Sequence, residues 1–267
     1  MPQPVKVIKQ ISSKRLESVQ DFVNALNLKY SSLQKIIIEK LDIKDVFSIN
    51  NIGNDRCAII GLVRKIKEVE GRYSIEMEDA TGSVSVLANK TDASSKLNED
   101  DVIASTGYMR GGTFEADALI WPDVPTMTPS KGNGKMIFLS NLKLTGKTIE
   151  LVKAADYVFI YNCTGWLDVA ANTSAQWVVV GGSGNITVVT DPSIVEAGGL
   201  KILIHFGKDL AADVLRRRFL TSNGNDFIVE PAPDIVFTST AEHLDYRGVT
   251  IIGNGTIDAA TREALAL

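Results

Sequence analysis

Cys57-Ala58-Ile59-Ile60-Gly61-Leu62-Val63 runs straight into Arg64-Lys65-Ile66-Lys67, and after Gly71 the chain resumes as Tyr73-Ser74-Ile75-Glu76-Met77-Glu78. The first stretch is a buried strand. The second alternates, with Tyr73, Ile75 and Met77 on one face and Ser74, Glu76 and Glu78 on the other, the pattern of a half-buried strand. Asp79-Ala80-Thr81-Gly82-Ser83 is a turn, and Val84-Ser85-Val86-Leu87 begins the return strand. Val102 to Tyr108 and Phe114 to Trp121, joined by Gly111-Gly112, add two more strands. Five short strands with one interruption, at residues 91–100, suit a small Greek-key barrel of the OB type over residues 44–121.

On the N-terminal side, residues 1–43 read as a helical lead-in of two helices. Ser12 and Ser13 can cap the first, whose Leu16, Val19, Phe22, Val23 and Leu26 share one face, and after Asn27 Leu33, Ile36, Ile37 and Leu41 continue the second. On the C-terminal side, Pro122, Pro125, Pro129, Gly132 and Gly134 mark residues 122–134 as a linker. Residues 135–267 then alternate between apolar strands and helices. The expected strands are Met136–Leu139, Tyr157–Tyr161, Trp177–Val180, Lys201–Ile204, Asp234–Phe237 and Val249–Ile252, with helices at Thr148–Ala155 and Leu210–Leu220. Continuous apolar strands covered by helices predict a layered α/β domain, so the whole chain is of mixed α+β and α/β class.

The 267 residues carry a net charge of −4, which makes the chain as a whole a poor polyanion binder. Cys57 and Cys163 stand far apart without zinc spacing, and read as reduced cytosolic thiols. No apolar run nears the ~20 residues of a membrane span, and Met1-Pro2-Gln3-Pro4-Val5-Lys6 lacks a signal-peptide core, so a cytoplasmic chain with no membrane partner is expected. Only two histidines occur, His205 and His243.

Several segments in ordered succession resemble the small, non-polymerising subunit of archaeal D-family DNA polymerase. They are Ile75–Ser83, Ile120-Trp121-Pro122-Asp123-Val124-Pro125, Asp191-Pro192-Ser193, Leu215–Leu220, Pro233–Phe237, Tyr246–Thr250 and Gly255-Thr256. The resemblance implies an OB-type barrel followed by a calcineurin-like phosphoesterase sandwich. Active members of that family hold two metal ions about 3.5–4 Å apart with carboxylates and imidazoles at successive strand ends, in the motifs D-x-H, G-D, G-N-H-D, a lone His and G-H-x-H. Here those positions read Asn141-Leu142-Lys143, Asn162-Cys163, Gly182-Ser183-Gly184-Asn185, Phe206 and Ser239-Thr240-Ala241-Glu242. His205 lies one residue early, on the opposite strand face. The family pattern needs at least four imidazoles and the chain has two, so no register restores the site. The connection before Trp177 is also short for the helix that active relatives carry there. The domain reads as trimmed and inactivated, with no catalytic residue, no metal ligand and no cofactor.

The remaining candidates have plainer readings. The asparagines suit strand-end turns, and Cys163 has no base beside it. His243, beside Glu242 and Asp245, reads as a solvated loop residue. Gly181, Gly182 and Gly184 match no phosphate-loop motif. Arg216-Arg217-Arg218 reads as the charge cluster of a helix C-terminus. On the barrel, Arg64, Lys65, Lys67, Arg72 and Arg110, with Tyr73 or Tyr108 to stack, are the candidates for single-stranded DNA. Between Arg56 and Asp79, however, five basic residues face five acidic ones. The expected role is therefore a non-catalytic scaffold of a replicative polymerase. Its partners would be the large catalytic subunit, DNA through the complex, and a sliding clamp. A stand-alone single-stranded DNA-binding protein and a residual metal-dependent phosphodiesterase or exonuclease are the alternatives.

Overall fold

The computed structural model describes residues 2–11, 16–40, 46–181, 186–222, 224–239 and 243–267. The chain divides into two compact units. One comprises residues 16–123 with Arg216–Arg218, and the other comprises residues 1–15, 124–215 and 219–267. Ser12, Ser13, Leu41 and the stretches 182–185 and 240–242, on which expectations were placed, lie outside the described residues.

The N-terminal segment departs from the helical reading. β1 (Lys6–Gln10) is a strand that pairs antiparallel with residues 193–196 of the second unit, and one helix, α1 (Val19–Lys40), replaces the expected two. Asn27 does not break it, because Asn costs a helix interior only a few tenths of a kcal/mol and neither Gly nor Pro stands nearby. Packing on the barrel favours the continuous form: Leu33 and Ile37 are fully buried and the Tyr30 hydroxyl donates to Ile60 O at 2.9 Å.

The barrel follows, with β2 (Val46–Phe47), β3 (Cys57–Val69), β4 (Arg72–Glu78), β5 (Ser83–Asn89), α2 (Asp92–Ser95), β6 (Val102–Arg110) and β7 (Thr113–Ile120). The order β3-β4-β5-β7-β6 closes because the first half of β3 pairs with β6 and its second half with β4. A 13-residue strand is long enough to serve both neighbours. β5 and β7 run parallel, Val86 beside Phe114, and so do the short β2 and its neighbour β3, while the remaining barrel pairs are antiparallel. This is an OB-like, five-stranded closed barrel, with α2 in the interruption seen at residues 91–100. The alternation of β4 holds, since Ile75 and Met77 are fully buried beside Ile59, Val86, Ile103 and Phe114.

Asp79 fixes the turn between β4 and β5. Its carboxylate accepts from the amides of Ile49 (2.8 Å), Thr81 (2.7 Å) and Gly82 (3.0 Å) and from the Thr81 hydroxyl (2.6 Å). Burial pulls this carboxyl up, but those hydrogen bonds together hold it below the usual carboxylate range. Asp79→Ala leaves three amides without their acceptor. It should lower barrel stability by roughly 1.5–3 kcal/mol, read as a shift in the urea midpoint.

The second unit is built from β8 (Lys135–Ser140), α3 (Lys147–Lys153), β9 (Tyr157–Tyr161), α4 (Leu167–Ala170), β10 (Gln176–Val180) and β11 (Thr187–Val189). After them come β12 (Ser193–Ala197), β13 (Leu200–Ile204), α5 (Ala211–Arg217), β14 (Phe219–Ser222), β15 (Asn225–Ile228) and β16 (Ile235–Phe237). The chain closes with β17 (Leu244–Tyr246), β18 (Val249–Ile252), β19 (Gly255–Asp258) and β20 (Ala264–Ala266). Two six-stranded sheets form, ordered β11-β10-β9-β8-β19-β20 and β1-β12-β13-β16-β18-β17, with β14 and β15 as a separate hairpin. They pack face to face. Met136, Phe138, Phe159 and Val178 from one sheet meet Val195, Ile202, Ile204, Ile235 and Phe237 from the other. The outward residues of the first sheet, Ile137, Leu139, Val158 and Ile160, pack with Leu144, Val152 and Val169 of the α3–α4 layer. Those of the second, Ile194, Leu203 and Val236, pack with Val214 and Leu215 of α5 and with Leu220 and Phe227 of the hairpin. The result is a four-layer mixed α/β sandwich.

The Pro- and Gly-rich stretch read as a linker is largely part of this unit. Val124, Met127, Gly132 and Asn133 donate their amides to Leu215, Arg247, Ala259 and Gly198, and Val124 is fully buried. Proline forbids helix and favours extended backbone, but it leaves the intervening amides free to bond. Composition alone therefore cannot tell a strap from a tether.

Candidate functional site

β8, β9 and β10 run parallel, so their C-terminal ends emerge together, and the end of β13 in the facing sheet meets them. This is where an α/β layer presents its chemistry. Asn141, just past β8, and Asn162, just past β9, both adopt the left-handed backbone (φ 54° and 48°), which Asn tolerates better than most residues. Asn162 Nδ2 donates to Asn141 Oδ1 at 2.8 Å, so a single hydrogen bond links the two amides. Asn254 Oδ1 accepts from the Ser140 amide at 2.6 Å. Lys143 is exposed and forms a backbone bridge with Thr164.

Phe206, just past β13, also lies at these strand ends. Its ring stacks on Tyr161 with centroids 3.8 Å apart and planes 9° apart, and meets Phe237 edge-on at 4.8 Å. His205 faces elsewhere. It is 4% exposed, and its Nδ1 lies 3.3 Å from Asp191 Oδ1, whose carboxylate also accepts the Phe206 amide. The Cys163 thiol donates to Leu139 O and Tyr161 O, both at 3.3 Å, and burial pushes its pKa up, so a thiolate nucleophile is disfavoured. Among the described residues no group of three or more His, Cys, Asp or Glu could hold a metal ion. Two neutral amides and an aromatic stack do not fit a two-metal centre, which needs carboxylates and free imidazoles.

The barrel residues divide. Arg64 pairs with Glu78 at 3.3 Å, and Arg72 reaches Glu115 on β7 at 2.8 Å. Lys65 and Lys67 are brought together along a shallow groove of about 280 Å³ shared with Ser74, Glu76 and Ser85. Arg110 stands apart, exposed at the β6 end beside Gly111. Tyr73 packs toward the barrel core with Lys90 5.6 Å above its ring, and Tyr108 is 38% exposed. Sequence reasoning missed Lys29 and Asp101, both buried, with Asp101 3.2 Å from Arg217 Nε. The Tyr161–Phe206 stack was missed as well. Only the aromatic at each strand end hinted at it.

The chain carries an OB-like barrel and a mixed α/β two-sheet sandwich. The chain shows weak, partial homology to small subunits of archaeal DNA polymerase II. It is 28% identical over 153 residues to the "DNA polymerase II small subunit" of Archaeoglobus fulgidus, covering 54% of this chain and 30% of that protein. The namesake from Methanothermobacter thermautotrophicus is 26% identical over 153 residues, covering 54% and 32%. That from Pyrococcus furiosus is 29% identical over 116 residues, covering 40% and 19%. The chain thus spans about a third or less of the relatives it matches. No family profile matches it. No helix among the described residues is long and apolar enough to cross a membrane.

Proposed function

We propose that this chain is a non-catalytic accessory subunit of a DNA polymerase, and that its sandwich is a disarmed calcineurin-like phosphoesterase domain. The observation that carries the reading is the Phe206–Tyr161 stack at the strand ends, beside the hydrogen-bonded amides of Asn141 and Asn162. Where an active relative would place ligands for two cations, this chain places hydrocarbon and neutral amides. Such a site supplies shape and surface, and no bond chemistry follows from it. The small-subunit similarity supplies the partner: a large catalytic chain, held and positioned by binding energy. Contact with DNA then runs through the complex. Lys65 and Lys67 are the barrel residues best placed to add to it, because Arg64 and Arg72 are already engaged by carboxylates.

Mixing the purified chain with the large polymerase subunit of the same genome tests this. A stoichiometric complex on size-exclusion chromatography at micromolar concentration is expected, with no gain in manganese-dependent phosphodiester hydrolysis from the small chain. Separate elution of the two would remove the basis of the reading.

A further inference from the structure

In an asparagine followed by glycine, the backbone nitrogen next to the carboxamide is unshielded, because the second residue has no side chain to stand over it. The chain has three such pairs, Asn133-Gly134, Asn223-Gly224 and Asn254-Gly255, of which Asn223 lies outside the described residues. The other two share one chemistry and are held in opposite ways.

Asn254 is locked. Its Oδ1 accepts the Ser140 amide at 2.6 Å and lies 3.4 Å from the Ser140 hydroxyl. Gly255 enters β19 inside the sheet, opposite Phe138 of β8 on one side and Ala266 of β20 on the other. For the Asn254 carboxamide carbon to meet the Gly255 nitrogen, the side chain must leave Ser140 and the strand must give way between two neighbours.

Asn133 is open. It is exposed, and its carboxamide bonds to nothing among the described residues. The Gly134 amide likewise donates to nothing among them. Gly134 holds φ 92°, a backbone that suits glycine and leaves its nitrogen uncovered. The pair lines an open cavity of about 340 Å³ together with Gln3 and Asp156, so water reaches both reacting groups. Two anchors flank the pair: the Asn133 amide donates to Gly198 O at 2.8 Å, and Gly134 O accepts from the Ala259 amide at 3.0 Å. Neither anchor uses the Gly134 nitrogen or the Asn133 side chain.

We infer that Asn133-Gly134 is a site of spontaneous deamidation in the folded chain, with water as the only co-reactant. The Gly134 nitrogen attacks Asn133 Cγ. The N–Cγ bond forms, the Cγ–Nδ2 bond breaks, and Nδ2 leaves as ammonia with the proton that the Gly134 nitrogen gives up. Water then opens the cyclic imide. Attack at Cγ yields aspartate, and attack at the main-chain carbonyl carbon of residue 133 yields isoaspartate. Nothing is oxidised or reduced. Either product places a new carboxylate in the cavity that Asp156 already lines, where like charges repel. Isoaspartate also lengthens the main chain by one methylene between the two anchors, so the strap must shift against Gly198 or Ala259. This ageing site is independent of the accessory role.

The test incubates the folded full-length chain in neutral buffer, digests samples under acidic conditions, and follows the Asn133 and Asn254 peptides by mass spectrometry. A parallel incubation in urea removes the fold. In the folded chain the Asn133 peptide should convert at least tenfold faster than the Asn254 peptide, and in urea the gap should close. Methyl transfer to isoaspartate should label the wild type and should fall in Asn133→Gln, whose longer side chain closes a less favourable ring. Equal rates for the two peptides in the folded chain, or faster conversion at Asn254, overturn the inference. A gap of the same size in urea overturns it too, since flanking sequence rather than structure would then set the rates.

Discussion

Asp101→Asn should leave the barrel at least as stable as wild type at pH 7, although it removes the acid from a buried ion pair. Asp101 is 1% exposed, accepts the Asn98 amide at 2.7 Å and lies 3.2 Å from Arg217 Nε, with Lys29 also buried nearby. Burial pushes its carboxyl up to about 6, against the pull of the Asn98 amide, Arg217 and Lys29. The folded chain therefore keeps a proton below about pH 6 that the unfolded chain, with an ordinary carboxyl near 4, releases two units earlier. Stability from this group is full below about pH 4 and is lost as pH rises to about 6, by on the order of 2–3 kcal/mol. Asn keeps the acceptor for Asn98 and cannot ionise, so the variant loses that slope. Urea unfolding followed by hydrogen exchange on barrel peptides should give similar midpoints for the two proteins at pH 4. At pH 7 the variant should have the higher midpoint. A variant markedly weaker at pH 7 would show instead that the ion pair outweighs its desolvation, the less common outcome for buried pairs.

The sequence exposed elements with a strong period and hid those made by partners distant in the chain. The barrel was legible because β4 alternates cleanly and Asp79–Gly82 is turn chemistry. The buried strands β8, β9, β10, β13, β16 and β18 were legible as short apolar runs. β1 was not, because Lys6-Val7-Ile8-Lys9 has no clean alternation and becomes a strand by pairing with β12, more than 180 residues away. The edge strands β11, β17 and β20 are three residues each and carry too little pattern to read. At the strand ends, sequence showed which side chains are absent, and the two histidines sufficed for that. It could not show that Phe206 and Tyr161 would stack, since they come from different sheets 45 positions apart.

Phe159→Ala should be among the more damaging single substitutions in the sandwich, and it separates shape from chemistry as the basis of function. Phe159 is fully buried between the sheets, stacked on Phe138 at 4.8 Å, and Phe138 in turn lies 5.2 Å from Phe237 of the facing sheet. Removing the ring opens a cavity that three neighbouring strands cannot close, at a cost of roughly 3–5 kcal/mol. A domain of this kind has about 5–15 kcal/mol in total, so the loss is a large fraction. Phe206→Ala, at a partly buried ring, should cost about half as much. An enzyme would rank these two the other way round in functional assays, because Phe206 sits at the strand ends and Phe159 does not. A scaffold should follow stability: capture of the large subunit falls steeply for Phe159→Ala at a temperature near its lowered midpoint, and hardly at all for Phe206→Ala. Urea midpoints paired with size-exclusion capture of the large subunit provide the check. Binding lost in Phe206→Ala while its midpoint stays near wild type would mean that the strand ends themselves make the contact.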